Sequence, residues 1–217
     1  MGVCSSNQQK AKLDNGVVTR SKYIPKNNDD RTIFSPFAGN KSLLNPMNVE
    51  DVYIFGVEHI GEGSFGVVRK ATHKSSLVDR AVKIIDKGKS GTKIVSRIKD
   101  EINILHKLDH PNILKIFEYF EDGNHLYIIT EYLEGGELFS KWDPRNSTEE
   151  DLAWMMKQIL SAIAYCHRLN IWHRDIKQEN ILFATKEKDS VIKLIDFGTS
   201  VESSIKQKQK VGTVSYL

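Results

Sequence analysis

Between Val52 and Ile85 the apolar residues come in short β-branched runs, and from Ile94 they switch to helical spacing. Val52 to Ile60 is one run, Val67-Val68-Arg69-Lys70-Ala71 a second after a glycine-rich turn, and Arg80 to Ile85 a third. Such runs, broken by turns, predict strands. Ile94, Ile98, Ile102, Leu105 and Leu108 then fall on one face of a helix, which predicts an amphipathic helix over Thr92–Leu108, stopped by His110-Pro111. Two further strands are predicted around Ile113–Phe120 and Leu126–Tyr132. Ser147 and Thr148 stand three residues before Glu150 and Asp151, a helix-start signal, and Leu152, Met155, Ile159 and Ile163 carry that helix to about Arg168. Five strands and one helix followed by a helical unit make an α+β arrangement in two lobes.

Composition narrows the classes. The 217 residues are 40% hydrophobic and 27% charged, enough for a packed core. No uncharged apolar run approaches the ~18–20 residues of a spanning helix, and the start MGVCSSNQQK lacks the apolar core of a secretory signal. Two distant cysteines, Cys4 and Cys166, exclude a disulfide scaffold or a cysteine zinc site and suit a reducing, cytoplasmic setting. The net charge of +3 is too small to argue for nucleic acid as a partner. Residues 1–49 carry +4 and the remainder −1, so the basic excess lies in an Asn-, Ser- and Lys-rich arm read as mostly disordered, ahead of a folded domain over 50–217.

Four clusters carry chemistry. Gly61-Glu62-Gly63-Ser64-Phe65-Gly66 is weak alone, but it is followed by a β-branched run instead of a helix. That excludes a dinucleotide-binding turn and favours a hairpin whose bare backbone closes over phosphates. Lys83 sits within an apolar strand and Glu101 on the apolar stripe of the following helix, two misplaced charges that explain each other as an ion pair. An edge-strand lysine facing water is the plainer alternative for Lys83. His173-Arg174-Asp175-Ile176-Lys177-Gln178-Glu179-Asn180 interleaves a carboxylate, a lysine and an amide with apolar anchors, the groups that phosphoryl transfer requires. Finally, an apolar strand ends in Asp196-Phe197-Gly198, where a carboxylate beside glycine suits Mg²⁺. Taken singly, that aspartate reads better as an ordinary Asx turn.

In order and spacing these motifs resemble the eukaryotic protein kinase family: G-x-G-x-x-G-x-V at Gly61–Val68, A-x-K at Ala81–Lys83, H-R-D-x-K-x-x-N at His173–Asn180 and D-F-G at Asp196–Gly198. The resemblance covers about Tyr53 to Leu217 and implies a two-lobed kinase-like fold, with a five-stranded antiparallel N-terminal lobe bearing one helix and a partial, mostly helical C-terminal lobe. It implies that Asp175 is the catalytic base, that Lys177 steadies the γ-phosphate, and that Lys83 holds the α- and β-phosphates while paired with Glu101. Asn180 and Asp196 would hold Mg²⁺. ATP would lie among Ile60, Gly61, Glu62, Gly63, Ser64, Phe65, Gly66, Val68, Ala81 and Leu182, beside Thr130, with Glu131 and Leu133 offering backbone groups to adenine. Glu137 would reach the ribose or a basic substrate residue. Leu105, Ile116, His173 and Phe197 match the family's packed spine. Lys177 within H-R-D-I-K-Q-E-N, together with Thr213, points to serine/threonine specificity. E-Y-L-E-G-G-E-L-F at Glu131–Phe139 is most similar to the calcium- and calmodulin-dependent branch.

Departures from the pattern shape the remaining expectations. Arg80 and Gln178 replace an apolar residue and a proline. The sequence given stops at Val214-Ser215-Tyr216-Leu217, where the family continues with further helices, so the expectation is a truncated product or a fragment of a larger kinase. The apolar face of the Thr148–Arg168 helix would then be exposed. A non-catalytic nucleotide- or protein-binding module is the rival reading. No calcium-binding loop pattern occurs in these residues. Met1-Gly2-Val3-Cys4-Ser5-Ser6 fits a myristoylation signal at Gly2, with Cys4 as a second acylation site and a basic arm to attract anionic lipid on a cytoplasmic membrane face. Ser203-Ser204 and the basic run Lys206–Lys210 read either as an activation loop or as a solvated loop, and a substrate serine or threonine near basic residues is expected.

Overall fold

A computed structural model describes residues 42–203, apart from Ser64, Phe65, Trp142, Pro144, Asn146 and Lys188. The expectations for Gly2, Cys4, Ser64, Phe65, Ser204, Lys206–Lys210 and Thr213 therefore lie outside the described residues.

A single helical turn, α1 (Val49–Val52), leads into β1 (Tyr53–Gly63), β2 (Gly66–His73) and β3 (Asp79–Asp86). The helix α2 (Lys87–His106) follows, then β4 (Ile116–Glu121) and β5 (His125–Glu131). All five strands pair antiparallel in the order β1-β2-β3-β5-β4. Gly66 is required where the β1–β2 hairpin crosses β3, because a Cβ there would overlap the Ile84 carbonyl. Along β3, Val82 faces a small cluster with Tyr53, Ala71, Phe120 and Ile129, while Ile85 faces the main core. Alternation along a strand puts Ala81, Lys83 and Ile85 on one side, so the lysine shares the face that α2 covers.

Asp86 caps α2 by accepting the Lys89 N–H at 3.0 Å. Gly91, at φ 74° and ψ 162°, breaks the helix after its first turn, which explains why apolar periodicity begins only after it. Ile98, Ile102 and Leu105 are buried as the spacing predicts, each worth roughly 1.5–3 kcal/mol of burial. Glu101 is buried among them.

Next come a short turn, α3 (Leu138–Lys141), and the long α4 (Glu149–Arg168). Thr148 and Asp151 form a reciprocal capping box at its start, and three acidic residues in the first turn oppose two basic ones in the last. Met155, Ala162 and Cys166 bury its inner face, and burial pushes the Cys166 thiol up to about 11. Leu152, Met156 and Leu160 make an exposed stripe on its outer side. The remaining strands are short: β6 (Ile171–Trp172) pairs with β9 (Val201–Glu202), and β7 (Ile181–Phe183) with β8 (Ile192–Leu194).

The two halves are bolted together by the loop after α2. Leu194 N–H donates to Asn112 O (2.9 Å), and Leu114 N–H to Leu194 O (3.0 Å). The buried Asn112 amide donates to Gln158 Oε1 of α4 and to Ile192 O. Part of the arm read from sequence as disordered is held: residues 43–45 pair with β4, and Val49 is buried.

Candidate active site

Register fixes the upper part of the site. Gly61 pairs with Val68, Val68 with Lys83, and Ala81 with Thr130, so the glycine-rich hairpin, the lysine strand and the strand leading to Glu131 converge. Ile60 is half-buried and Gly61 and Glu62 are exposed at the hairpin's rim. Lys83 Nζ lies 3.9 Å from Glu101 Oε2. Burial raises the Glu101 carboxyl above its usual range, the Lys83 charge opposes that, and the Asp196 charge adds to it. The Phe197 backbone beside Glu101 favours the charged carboxylate, and a Cβ on Gly198 would lie 3.6 Å from Glu101 Oε2, so α2 abuts the Asp196-Phe197-Gly198 segment.

The lower part is built within one short loop. Asp175 Oδ2 lies 3.1 Å from Lys177 Nζ, and both side chains are mostly buried. A 3-10 turn, Gln178–Asn180, swings the buried Asn180 amide back so that Nδ2 donates to Asp175 O (2.8 Å) and Oδ2 (3.2 Å). The amide nitrogen is thus turned inward, and its oxygen is the end with lone pairs to give a cation. His173 is clamped by both ring nitrogens: Nε2 donates to Ile195 O at 2.9 Å, and Nδ1 accepts the Asp175 N–H at 3.3 Å. Burial lowers its pKa, which suits this neutral tautomer. Phe197 meets the His173 ring edge-on at 4.6 Å.

Two residues here hold left-handed backbone, Arg174 at φ 68° and Asp196 at φ 60°. Such conformations cost on the order of 1–3 kcal/mol each and persist where their surroundings over-determine them. Arg174 Nε donates to Thr199 O at 2.7 Å, and the Gly198 N–H to Asp196 Oδ1 at 3.2 Å. Asp196 is exposed beside the buried Glu101. The Asp196 carboxylate and the Asn180 amide oxygen, on adjoining segments joined by the Ile195 N–H donating to Asn180 O at 2.9 Å, are hard oxygen donors that fit a divalent cation. Among the described residues no group of three or more His, Cys, Asp or Glu gathers.

The floor and rear were only partly foreseen. Glu137 bridges Leu182, and the Gly135 N–H donates to Phe183 O, so the segment after β5 lines up against β7. A Cβ on Gly135 would overlap Phe183 and Thr185. Leu133 and Leu182 are half-buried there. The side chain of Glu131 has a role the sequence reading missed. It accepts the Lys115 N–H at 2.7 Å and pairs with Lys193 Nζ at 2.8 Å, linking β5 to β8. The signal was present, since Lys193 stands in an apolar strand just as Lys83 does. Leu105, Ile116, His173 and Phe197 are all buried, as a packed spine requires.

A phosphate-covering hairpin above a loop that presents a carboxylate is the architecture of protein kinases. Sequence comparison agrees: the protein kinase domain pattern matches residues 56–217, and the chain belongs to that family. Among similar proteins, calcium-dependent protein kinase 3 of Plasmodium yoelii yoelii is 44% identical over 78% of this chain and 32% of its own length. Calcium-dependent protein kinase 5 of Plasmodium falciparum is 39% identical over 100% of this chain and 37% of its own length. Calcium-dependent protein kinase 4 of Plasmodium berghei is 40% identical over 91% of this chain and 38% of its own length. The chain thus spans about a third of the length of these relatives.

Proposed function

We propose that this chain is the nucleotide-binding and catalytic core of an ATP-dependent protein serine/threonine kinase of the calcium-dependent branch. The observation that carries the reading is the Asp175–Lys177–Asn180 cluster, held within one loop. Asp175 orients the substrate hydroxyl and accepts its proton as that oxygen bonds to the γ-phosphorus and the bond to the β–γ bridging oxygen breaks, releasing ADP. Lys177 offsets charge on the transferred group, and Lys83, braced by Glu101, holds the α- and β-phosphates. Asn180 and Asp196 are the residues to hold Mg²⁺, which when bound neutralises phosphate charge. The substrate is a protein serine or threonine near basic residues, a reading supported by the exposed Glu137 beside Leu182.

The test is phosphate transfer from ATP-Mg²⁺ to a basic serine peptide, run with Asp175→Ala alongside. Transfer abolished by the substitution supports the reading. A folded, monomeric chain that binds ATP without transfer marks it as a binding module instead. Membrane attachment through Gly2 and Cys4 is a further part of the proposal, supported by the Met-Gly-x-x-x-Ser start. Unchanged membrane partition in Gly2→Ala removes that part.

A further inference from the structure

Strand β4 is an edge of the five-stranded sheet, and an edge leaves backbone groups to be paired. Here they are paired by the chain's own approach segment. Leu44 bridges Tyr119 in parallel; the Tyr119 N–H donates to Leu43 O and the Asn45 N–H to Tyr119 O, each at 2.9 Å. Side chains alternate as in a strand: Leu43 and Asn45 turn inward, and Leu44 is 40% exposed. Glu118 of β4 holds the segment at one point, accepting Asn45 Nδ2 on Oε2, while its Oε1 accepts the Tyr53 hydroxyl of β1, each at 2.7 Å. Burial first, then Glu118, raises the Tyr53 hydroxyl pKa, so it stays a donor. Leu43 packs against the main core, the cluster that also buries Ile98, Ile102 and Leu105 of α2 and against which Ile94 and Tyr119 pack as well.

We propose that residues 43–45 form a strap that holds α2 against the sheet, making Leu43 and Asn45 positioning residues for Glu101. The geometry makes this consequential. Lys83 and Glu101 stand 3.9 Å apart on a strand and a helix whose chain connection is interrupted at Gly91. Their distance therefore depends on how α2 is seated, and the strap presses on the cluster that seats it. The inference rests on the reading of Lys83 as a phosphate-holding residue only for its effect on nucleotide affinity.

The experiment compares the full chain with the double variant Leu43→Ala/Asn45→Ala and with Leu44→Ala, whose side chain points outward. Amide exchange is followed over residues 92–106, with 149–168 of α4 as the internal reference, and ATP-Mg²⁺ affinity is measured by titration. The double variant is expected to exchange about tenfold faster over 92–106 with α4 unchanged, and to bind ATP about fivefold more weakly, the range of modest coupling between sites. Leu44→Ala is expected to match wild type. Asn45→Ala alone, which leaves the apolar contacts intact, should shift exchange in the same direction by a smaller factor. Unchanged exchange over 92–106, or loosening equal in α4, overturns the strap. Should wild type bind no ATP, the kinase reading falls, and the exchange comparison still decides the strap.

Discussion

Two lysine–carboxylate pairs of the site, Asp175–Lys177 and Lys83–Glu101, are built in opposite ways. Asp175 and Lys177 are two residues apart in one loop, 3.1 Å from each other, with Asn180 and His173 fixing the same loop from within. Lys83 and Glu101 belong to separate elements, stand 3.9 Å apart, and depend on α2 remaining seated. The lower pair is preorganised by local chain geometry, and the upper pair is adjustable. Loss of chemistry is expected from the lower pair, and changes in nucleotide affinity from the upper one.

The strongest way to break this contrast is Asp175→Ala. Phosphate transfer should fall by about 10²–10⁴-fold, the usual share of a positioned base, while ATP affinity measured by titration stays within about threefold. Lys83→Met should lower transfer by about 10²-fold and weaken ATP binding as well. Equal affinity losses in the two variants would erase the division of labour.

Glu101→Gln sharpens the comparison through pH. Burial, then the nearby Asp196, holds the Glu101 carboxyl high against the pull of Lys83, so the fold favours its protonated form. The stability this contributes is complete below the ordinary carboxylate value and is lost as pH rises through the elevated value in the folded protein. The urea midpoint of wild type should therefore fall relative to Glu101→Gln as pH rises above the ordinary carboxylate range. A constant difference over that rise would mean Glu101 titrates normally. The smallest effect belongs to a pair outside the site. Lys107 pairs with Glu202 of β9, both half-exposed, and Lys107→Ala should change stability by less than about 1 kcal/mol in denaturant titration.

The legible parts of the molecule are those encoded by neighbours in sequence. The five strands and the extent of α4 follow from local period, and the structure places them accordingly, but the face α4 buries is Met155, Ala162 and Cys166, with Leu152 of the expected stripe exposed. Helix α2 begins at Lys87, earlier than its apolar pattern, because its first turn has no core-facing residue and is held by the Asp86 cap. The segment at 43–45 has no periodic signature, and the partner of Asn45 is Glu118, 73 residues away. Contacts of that kind cannot be read from spacing. Glu131 and Lys193 were half-legible: a lysine in an apolar strand announces a hidden partner, but only the fold says which carboxylate it is.

Cys166 gives the molecule a built-in clock. Its thiol is 2% exposed on the inner face of α4, and its raised pKa leaves little thiolate near neutrality. A thiol reagent can reach it only when α4 lifts from the core. In a Cys4→Ser background, the rate of labelling at Cys166 would report the opening of α4, against which ligands and substitutions in the other lobe can be compared.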